Sequence, residues 1–513
     1  MPALVLIAGA GPTGLMLALR LTRHGIPLRI IDQASGPGLA SRAMAVHART
    51  LEFYRQMGLA DEIVAHGVRI EALHLRERGQ EIACLPLKDI GAGLSPYPFV
   101  LAYPQDDHER FLVDQLRRLG VEVEWNTALS SFSQDEQGIH ALLAQDGAER
   151  YCDVRFLCGC DGAHSRVREV LQLGFPGGTY EHLYYVADVK VGGPPNTDLR
   201  AHIGEQTFAL MLPVRSSGMQ RLIGIMPAGA DHEAQHSFAD VRPIVEPLLG
   251  IHVDEVNWFS TYRVHHRVAQ QFRVGHAFIL GDAAHVHSPA GGQGMNTGLG
   301  DAVNLAWKIA QVLQGRIAPA ALDSYEQERI GFARQLVATT DRVFQAAVAD
   351  GAAGRLVRHW LLPHVVPFLT GFAAARRAMF KRLSQVRINY EDSPLSAGRA
   401  GDILGGDRLP WVHDTQYDNF DPLRAMDWQL HVYGVCSAGL ASEAEALDLP
   451  LHCLPWTGQA ASTDLLRDAA YLIRPDAYVA LCLPRQGSGG VTDYAARHGL
   501  RFAGREPRPS ITH

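Results

Sequence analysis

The chain lacks the sequence features that mark nucleic-acid binding, export and membrane insertion. Its 47 lysines and arginines are outnumbered by 54 acidic residues, so no basic excess favours a polyanionic partner. The first residues enter an apolar stretch without the basic start and cleavage site of an export signal. Segment 360–375 is strongly apolar, but it contains two prolines and is shorter than the ~20 residues of a membrane span. We expect a cytoplasmic protein that binds no nucleic acid and does not insert stably into a membrane.

Cysteine pairs of the kind that form disulfides or metal sites are also missing. The seven cysteines are an odd number scattered over 513 residues, which is typical of reduced thiols inside a cell. Cys158 and Cys160 form the one close pair, but they lack the two-residue spacer and the neighbouring ligands of a metal or redox site. We expect both to pack inside a strand, and we predict no metal centre.

Internal repeats and low-complexity tracts are absent as well. Hydrophobic residues make up 47% and charged residues 20% of the chain, which is the balance of a folded globular protein. A length of 513 residues predicts two or three domains, because one domain usually has roughly 100–200 residues.

The N-terminal residues have the pattern of a strand, a helix and a second strand. Residues 3–8 are almost wholly apolar, as in a parallel strand that is buried on both faces. Residues 13–24 have leucines at helical spacing and stop at Gly25, and residues 27–32 form the next strand. This βαβ unit indicates an α/β protein with a Rossmann-like sheet.

A glycine-rich turn, Gly9–Gly14, joins the first strand to this helix. The spacing of its three glycines lets the backbone approach a pyrophosphate at the helix N-terminus. Asp32 follows Gly9 by 23 positions, near the ~20 at which an acid binds a ribose hydroxyl. These residues predict a bound dinucleotide, and they leave FAD and NAD open.

Two further aspartates follow apolar strands, at positions where open α/β sheets bind ligands. Asp161 begins the segment 161–168, and Asp282 lies in the segment 281–285. Each turn could also be solvated, with an acid that caps a helix, but both together with the first motif favour a ligand site. Pro289–Gly294 is a glycine-rich run that enters a helix, where unpaired N–H groups and the helix dipole favour an anion.

The three motifs resemble those of the class A flavoprotein aromatic hydroxylases, the p-hydroxybenzoate hydroxylase-like superfamily. The flavin signature of the phenol and polyketide hydroxylases is matched almost position by position by residues 281–298, Gly-Asp-Ala-Ala-His-Val-His-Ser-Pro-Ala-Gly-Gly-Gln-Gly-Met-Asn-Thr-Gly. Ser288 stands there in place of a common proline. The resemblance extends over about residues 1–395, and residues 471–480 are similar to the thioredoxin-like domain that these hydroxylases append.

The resemblance implies FAD as the cofactor and assigns a set of residues to it. These residues would surround the cofactor, and they are Gly9, Gly11, Pro12, Thr13, Gly14, Asp32, Arg42, Gln105, Asp161, Gly281, Asp282, Pro289, Gly292, Gly294, Met295 and Asn296. Arg42 would approach the pyrophosphate, Gln105 the ribityl region and Asp282 a ribityl hydroxyl. Asp161 would serve FAD and, indirectly, nicotinamide recognition.

The implied reaction is hydroxylation of an aromatic or polyketide-like substrate by O2, through a flavin C4a-hydroperoxide, with NADPH or NADH as co-substrate. No second Rossmann motif serves the nicotinamide, so the sequence does not separate NADPH from NADH. Epoxidation and Baeyer–Villiger insertion also stay open. A function of a different class is an FAD-binding protein that sequesters or stabilises a reactive intermediate with little turnover. The expected assembly is a monomer or a homodimer.

The predicted fold has three units. A discontinuous Rossmann-like FAD-binding domain with a helical extension comprises residues 1–175 and 270–395. A sheet-rich substrate domain comprises residues 176–269 together with about 70–102. Residues 400–513 follow a glycine-rich linker and form a thioredoxin-like α/β domain without redox cysteines.

The catalytic candidates lie mainly on the sheet-rich domain, where a histidine or tyrosine could deprotonate a phenol or relay a proton. They are candidates by residue type and position alone, and they are Tyr184, His202, Arg215 and His266, with Tyr185, Tyr262 and His265 beside them and Pro289 in the glycine-rich loop. Each could equally be an ordinary surface or core side chain. The candidate apolar lining is Phe208, Met211, Leu212 and Pro213.

Overall fold

The computed structural model describes residues 3–38, 43–77, 79–193, 197–204, 207–214, 218–227, 234–288, 290–348 and 373–502. Its strands are β1 (Val5–Ala8), β2 (Leu28–Ile31), β3 (Ala45–Val46), β4 (Val68–Arg69), β5 (Ala72–Glu77), β6 (Gln80–Pro86), β7 (Leu101–Ala102), β8 (Val123–Glu124), β9 (Thr127–Gln134), β10 (Ile139–Gln145), β11 (Ala148–Val154), β12 (Phe156–Gly159), β13 (Gly177–Val191), β14 (Leu199–Gly204), β15 (Thr207–Pro213), β16 (Met219–Ile225), β17 (Val253–Val268), β18 (Arg273–Val274), β19 (Ala277–Ile279), β20 (His285–Val286), β21 (Arg399–Ala400), β22 (Ile403–Leu404), β23 (Gln429–Tyr433), β24 (Leu451–Leu454), β25 (Ala470–Ile473) and β26 (Val479–Leu483). Its helices are α1 (Pro12–Arg23), α2 (Ala48–Gln56), α3 (Ala60–His66), α4 (Gln105–Arg118), α5 (Arg166–Val170), α6 (Phe238–Leu249), α7 (Gly294–Leu313), α8 (Asp323–Val348), α9 (Ala373–Leu383), α10 (Ala438–Ala446), α11 (Gly458–Ala461) and α12 (Gly490–His498).

A mostly parallel sheet carries the N-terminal motifs. Its strand order is β18-β19-β12-β1-β2-β8, with β18 antiparallel to β19. β1 lies in the middle, parallel to both β12 and β2, and its four residues are buried because the sheet is covered on both sides. The Rossmann-like βαβ start that the sequence predicts is therefore confirmed.

An eight-stranded mixed sheet, the roof sheet, packs against this unit, and its strand order is β20-β17-β13-β16-β15-β14-β5-β6. Its inner face packs against the main core through residues such as Val186, Leu212 and Ile223. Its outer face packs against α6 in a separate cluster that includes Ala187 and Leu222. Strands β5 and β6 belong to this sheet, and the assignment of about residues 70–102 to one domain with residues 176–269 stays a prediction. The three-stranded sheet β11-β10-β9 lies beside the parallel sheet and was not foreseen.

The C-terminal residues form a four-stranded sheet in the order β24-β23-β25-β26. β23 and β24 are parallel, with α10 between them, and the other two pairings are antiparallel. The C-terminal unit is thus an α/β unit, and its thioredoxin-like character and its limits at residues 400 and 513 stay predictions.

A buried ionic cluster joins the C-terminal unit to the rest of the chain. Arg474 donates to both carboxylate oxygens of Glu328 on α8, at 2.7 and 2.9 Å, and to Asp476. Lys308 on α7 binds the same Glu328 at 2.8 Å, and Trp307 donates to Asp476. Burial alone would raise the pKa of Glu328, but Arg474 and Lys308 hold it well below its usual value. The cluster is therefore ionised, and its charges depend on one another.

No helix of the described residues combines the length and the apolar composition that crossing a membrane requires. Most of segment 360–375 lies outside the described residues.

Arg474→Met should lower the stability of the whole chain. The variant leaves the carboxylates of Glu328 and Asp476 buried with fewer partners, which typically costs about 3–5 kcal/mol. Thermal unfolding of the purified protein measures the effect. Arg399→Met is the matched control, because the Arg399–Asp402 pair is 63% and 76% exposed and should contribute little. Equal unfolding temperatures for the two variants would contradict the structural role of the cluster.

Candidate active site

The carboxyl ends of β1, β2 and β12 meet at one edge of the parallel sheet. The N–H of Gly9 donates to Ile31 O at 2.8 Å, and the N–H of Cys160 donates to Ala8 O at 2.7 Å. The turns after these strands therefore lie side by side. Ligands of open α/β sheets bind at such an edge.

The first two motifs are in backbone contact. Gly9 has a φ of +103°, and a Cβ there would lie 2.2 Å from the carbonyl oxygen of Cys160, so only glycine fits. A Cβ at Gly14 would lie 2.0 Å from the carbonyl oxygen of Gly9. A Cβ at Gly11, in contrast, would meet no described atom within 4 Å. The turn is closed towards the protein and open above Gly11.

The start of α1 is suited to an anion. Pro12 is its first residue, no side chain caps it, and its first turn has no acidic residue. The N–H groups and the dipole of the helix therefore point into the open space above Gly11. A pyrophosphate fits this cradle by charge.

The third motif closes against the first through two more glycines. A Cβ at Gly281 would lie 2.6 Å from the Thr13 hydroxyl oxygen, and a Cβ at Gly298 would lie 2.3 Å from the same atom. Thr13 thus fits between the turn after β19 and the second turn of α7. The three motifs that are far apart in sequence form one site.

The second motif is held mainly by its own hydrogen bonds. One carboxylate oxygen of Asp161 accepts from the N–H of Val167 at 3.0 Å. The other, Oδ1, is buried and has no partner among the described residues. Burial raises the pKa of Asp161. Arg168 donates to Ala163 O at 2.6 Å and to Ala283 O at 2.8 Å, so it ties the second motif to the third.

Asp301 on α7 is a site residue that the sequence analysis missed. Its Oδ2 accepts from the N–H of Gly281 at 3.0 Å and contacts Nε2 of His285 at 2.7 Å. Its Oδ1 accepts from Arg329 of α8 at 2.6 Å. Burial alone would raise the pKa of Asp301, but Arg329 and His285 hold it below its usual value. Asp301 is the single acidic residue of α7, and this was the available signal.

Other predicted cofactor residues lie around the same edge. Asp32 accepts from the N–H groups of Ala10 and Ala34 at 2.7 and 2.8 Å, and each of its oxygens can accept a further hydrogen bond. Gln105 begins α4 and donates to Glu109 at 2.8 Å. Asp282 is exposed in the turn after β19. The predicted contacts of Arg42 and Pro289 fall outside the described residues.

The glycine-rich loop before α7 has two successive left-handed residues, Gly291 at φ +78° and Gly292 at φ +60°. Consecutive N–H groups in such a turn form an anion-binding concavity. Gly294 and Met295 follow as the first residues of α7, which no side chain caps. The loop and the helix start thus offer N–H groups to the site.

The side chain of Asn296, a predicted cofactor residue, forms its hydrogen bonds inside the protein. Its oxygen accepts from the N–H of His47 at 2.9 Å and the hydroxyl of Thr50 at 2.8 Å. Its amide donates to Ala45 O at 2.8 Å and Gly292 O at 2.9 Å. All four hydrogen-bonding positions are used inside the protein. Asn296 therefore orients the loop, and only its backbone could reach a cofactor.

His47 supports the same loop and was also missed. Its Nε2 lies 3.0 Å from the carbonyl oxygen of Gly291, while Nδ1 has no partner among the described residues. Burial lowers the pKa of His47 to about 4, so the ring is neutral near pH 7 and Nε2 carries the proton that Gly291 accepts. A positive charge at this position is thus disfavoured.

The catalytic candidates Tyr184 and His202 lie on opposite faces of the roof sheet. Tyr184 is opposite Tyr262 and Ile225 on the inner face of the roof sheet. His202 is opposite Ala209, whose side chain packs in the α6 cluster, and directly opposite residues share a face. His202 therefore points away from the site, and its position does not favour the predicted role as a base.

Two further candidate groups are placed as follows. His266 on β17 lies 5.0 Å from the ring of Tyr180 and lines a surface groove of about 290 Å³. Met211 belongs to the α6 cluster on the outer face, whereas Phe208 and Leu212 lie on the inner face, where their lining role stays a prediction. Arg215 lies outside the described residues.

One group of metal-type ligands occurs in the described part of the chain, although no metal centre was predicted. The donor atoms of His74, Glu81 and Cys84 lie within 4.8 Å of one another on the β5–β6 hairpin. The hairpin is at the edge of the roof sheet and is separate from the strand ends that form the site.

Comparison with known proteins agrees with this geometry. The chain matches the family described as FAD binding domain over residues 3–340. The 6-methylpretetramide 4-monooxygenase of Streptomyces rimosus is 38% identical over 419 residues, which cover 78% of this chain and 72% of that protein. The pentachlorophenol 4-monooxygenase of Sphingobium chlorophenolicum is 33% identical over 420 residues, covering 80% and 75%.

Solved structures share the complete architecture. The anhydrotetracycline hydroxylase of Streptomyces rimosus superposes with a TM-score of 0.77 at 26% identity, and the match covers 98% of this chain and 100% of that one. The chain therefore belongs to the family of FAD-binding domains, and its cofactor is FAD.

Gly11→Ala tests that cradle. The added methyl group meets no described atom within 4 Å and the backbone φ of −72° suits alanine, so the protein should fold normally. With the pyrophosphate above Gly11, we expect FAD to bind at least about tenfold more weakly, equivalent to about 1.4 kcal/mol. Fluorescence titration of the apoprotein with FAD measures this affinity. Gly439→Ala, on α10 and equally open, is the control. An FAD affinity of Gly11→Ala equal to that of the wild type would contradict the placement of the pyrophosphate above Gly11.

Protonation of His47 should destabilise the fold in mild acid. Between about pH 6.5 and about pH 4, His47 binds a proton in the unfolded chain but not in the folded protein. The free energy of unfolding therefore falls as the pH falls through this window, and it levels off below about pH 4. His47→Gln keeps an N–H for the carbonyl oxygen of Gly291. Across this pH window its free energy of unfolding should fall less than that of the wild type, and the difference should reach about 3 kcal/mol. Denaturant unfolding at several pH values checks this, with His66→Gln, an exposed histidine, as control. Parallel pH profiles for the wild type and His47→Gln would contradict the assignment.

Proposed function

The chain belongs to the class A flavoprotein monooxygenases, and we propose that it inserts one oxygen atom of O2 into an aromatic or polyketide-like substrate, with NADPH or NADH as reductant. The single observation that carries this is the meeting of three separate motifs, at Gly9–Gly14, Asp161 and Gly281–Asp282, at one sheet edge beneath the roof sheet. The relatives named above act on 6-methylpretetramide and on pentachlorophenol, and they support the substrate class.

Bound FAD would accept hydride from the nicotinamide and activate dioxygen, and the protein would supply binding and orientation. In this proposal the Gly9–Gly14 turn holds the pyrophosphate, Asp32 the adenosine ribose and Asp282 a ribityl hydroxyl. Arg42, Gln105, Asp161 and Pro289 keep the predicted roles near the cofactor. The N–H groups of Gly292, Gly294 and Met295 would stabilise negative charge on the flavin, since they converge at the start of α7.

The inner face of the roof sheet would hold the substrate. Phe208 and Tyr262 pack with Tyr184 there, and Leu212 packs against the main core. Such a face suits an aromatic ring and keeps water away from the reacting oxygen. Burial raises the pKa of Tyr184 well above its usual value, so this hydroxyl stays protonated. Tyr184 would therefore donate a hydrogen bond to the substrate rather than act as a base.

The fate of the reducing equivalents tests the proposal. The purified, FAD-loaded chain is incubated with NADPH or NADH, labelled O2, and a panel of phenols and polycyclic aromatics. We expect at least one compound to stimulate nicotinamide oxidation and to gain one labelled oxygen. Flavin that is not reduced with any compound, or that yields only hydrogen peroxide with all of them, would favour the alternative of an intermediate-binding protein. The relatives' names give that alternative no support.

Asp282→Ala should weaken FAD binding by about 10- to 100-fold, because a hydrogen bond to a charged group contributes about 1.5–3 kcal/mol. Asp282→Asn keeps an acceptor for a hydroxyl and should lose less. Flavin content after dialysis and fluorescence titration measure both variants. Since Asp282 is exposed, neither change should alter the unfolding temperature of the apoprotein. Normal FAD affinity in Asp282→Ala would refute the role of this carboxylate.

A further inference from the structure

The β5–β6 hairpin at the edge of the roof sheet brings three side chains of metal-ligand type together. His74 on β5 is directly opposite Cys84 on β6, so the two side chains share one face of the sheet. The donor atoms of His74, Glu81 and Cys84 all lie within 4.8 Å of one another. His74 is half-buried and the other two are exposed, so a cation can reach them from solvent.

A break in the strand register places Glu81 on this face. In a regular strand, residues three positions apart, such as Glu81 and Cys84, point to opposite faces. The register of the hairpin shifts between Leu75 and Arg76, so that Glu81 is opposite Arg76. Arg76 is two positions from His74 and therefore shares its face. The bulge thus turns Glu81 towards the other two ligands, which is how a bulge re-aims a side chain.

Both ring nitrogens of His74 face a carboxylate. Nδ1 lies 3.0 Å from Oε2 of Glu81, and Nε2 lies 3.2 Å from Oδ2 of Asp198. Asp198 directly precedes β14, which pairs in parallel with β5. When Nε2 donates its proton to Asp198, the lone pair of Nδ1 points towards Glu81. This is the arrangement in which a carboxylate orients a histidine that binds a metal.

His140 shows that two carboxylates around an imidazole are not sufficient. Its Nδ1 lies 2.8 Å from Asp153 and its Nε2 lies 3.1 Å from Asp135, so the two acids are on opposite sides of the ring. His140 belongs to no group of three metal-type ligands in the part of the chain that the structure describes. His74 differs because a thiol converges with one of its carboxylates.

The three donors suit zinc better than a hard cation. Imidazole and thiolate are ligands for Zn²⁺, whereas Mg²⁺ and Ca²⁺ take oxygen ligands. A thiolate and a carboxylate together balance the charge of Zn²⁺. Ligand atoms of a tetrahedral zinc site lie roughly 3.3–3.8 Å apart, so these donors need to approach by about 1 Å. Three protein ligands leave the fourth position to water.

We propose that His74, Glu81 and Cys84 bind Zn²⁺, with Asp198 orienting the imidazole. The ion links β5 to β6 and, through Asp198, ties this edge hairpin to the start of β14. The sequence predicts no metal centre, because ligands that converge through a bulge leave no short motif. The inference does not rest on the proposed function, since the hairpin is separate from the strand ends that form the candidate active site.

The test uses the full-length, FAD-loaded protein after a chelator has removed bound metal. Zn²⁺ is titrated in competition with a chromophoric chelator, and thiols are alkylated with and without Zn²⁺ and mapped by peptide mass. We expect one tightly bound Zn²⁺ per chain. Bound Zn²⁺ should slow the alkylation of Cys84 at least about tenfold, because a coordinated thiolate is a weaker nucleophile. Cys453, the other exposed cysteine, is the internal control and should react as before.

Three results would overturn the proposal. They are a protein that binds no Zn²⁺, bound Zn²⁺ that leaves Cys84 as reactive as in the metal-free protein, and equal protection of Cys84 by Mg²⁺. Because this measurement uses the wild type, it does not depend on the folding of any variant.

Variants identify the ligands. Cys84→Ser and His74→Gln should each weaken Zn²⁺ binding at least about tenfold, and Asp198→Asn should weaken it by about tenfold with one Zn²⁺ per chain retained. Zn²⁺ should raise the unfolding temperature of the wild type but not of Cys84→Ser, because the ion binds the folded hairpin. His140→Gln is the matched control and should bind Zn²⁺ as the wild type does. Wild-type affinity in Cys84→Ser, or weakened binding in His140→Gln, would contradict the assignment. Circular dichroism of each metal-free variant confirms that it is folded.

Discussion

The whole site depends on backbone approaching backbone where no side chain could fit. At Gly9 and Gly14 a single methyl group would overlap the carbonyl oxygens of Cys160 and Gly9. At Gly281 and Gly298 it would overlap the hydroxyl of Thr13. These contacts bring three loops together within van der Waals distance, and among the described residues they leave the space above Gly11 open, where we propose that the cofactor phosphates bind. Binding here is a consequence of how closely the chain is packed around that space.

Two adjacent residues of α8 connect this site to the C-terminal unit. Glu328 binds Arg474 of the C-terminal unit, while Arg329 binds Asp301, which in turn holds the N–H of Gly281. Both carboxylates are ionised in a dry interior because a guanidinium neutralises each of them. A shift of α8 would therefore disturb both the domain contact and the turn that carries Asp282.

The sequence predicts the parts of the fold whose signals are local. The turn Gly9–Gly14 and the strand before it are readable because the glycine spacing and the apolar run are adjacent in the chain. The orientation of His202 was not readable, since alternation along a strand defines two faces without saying which of them α6 covers. The role of Asp301 depends on Arg329, a partner 28 positions away in the sequence. Such long-range pairings have no counterpart in local patterns.

The two faces of the roof sheet also set a limit on how this enzyme can diversify. On β13 and β15 the residues that face inward alternate with residues that pack against α6, such as Ala187 and Met211. With the substrate on the inner face, as proposed, changes of specificity are confined to every second codon of these strands, and the codons between them are needed for folding. A gene library that randomises only the inward positions would therefore contain variants with new substrates and few variants that do not fold.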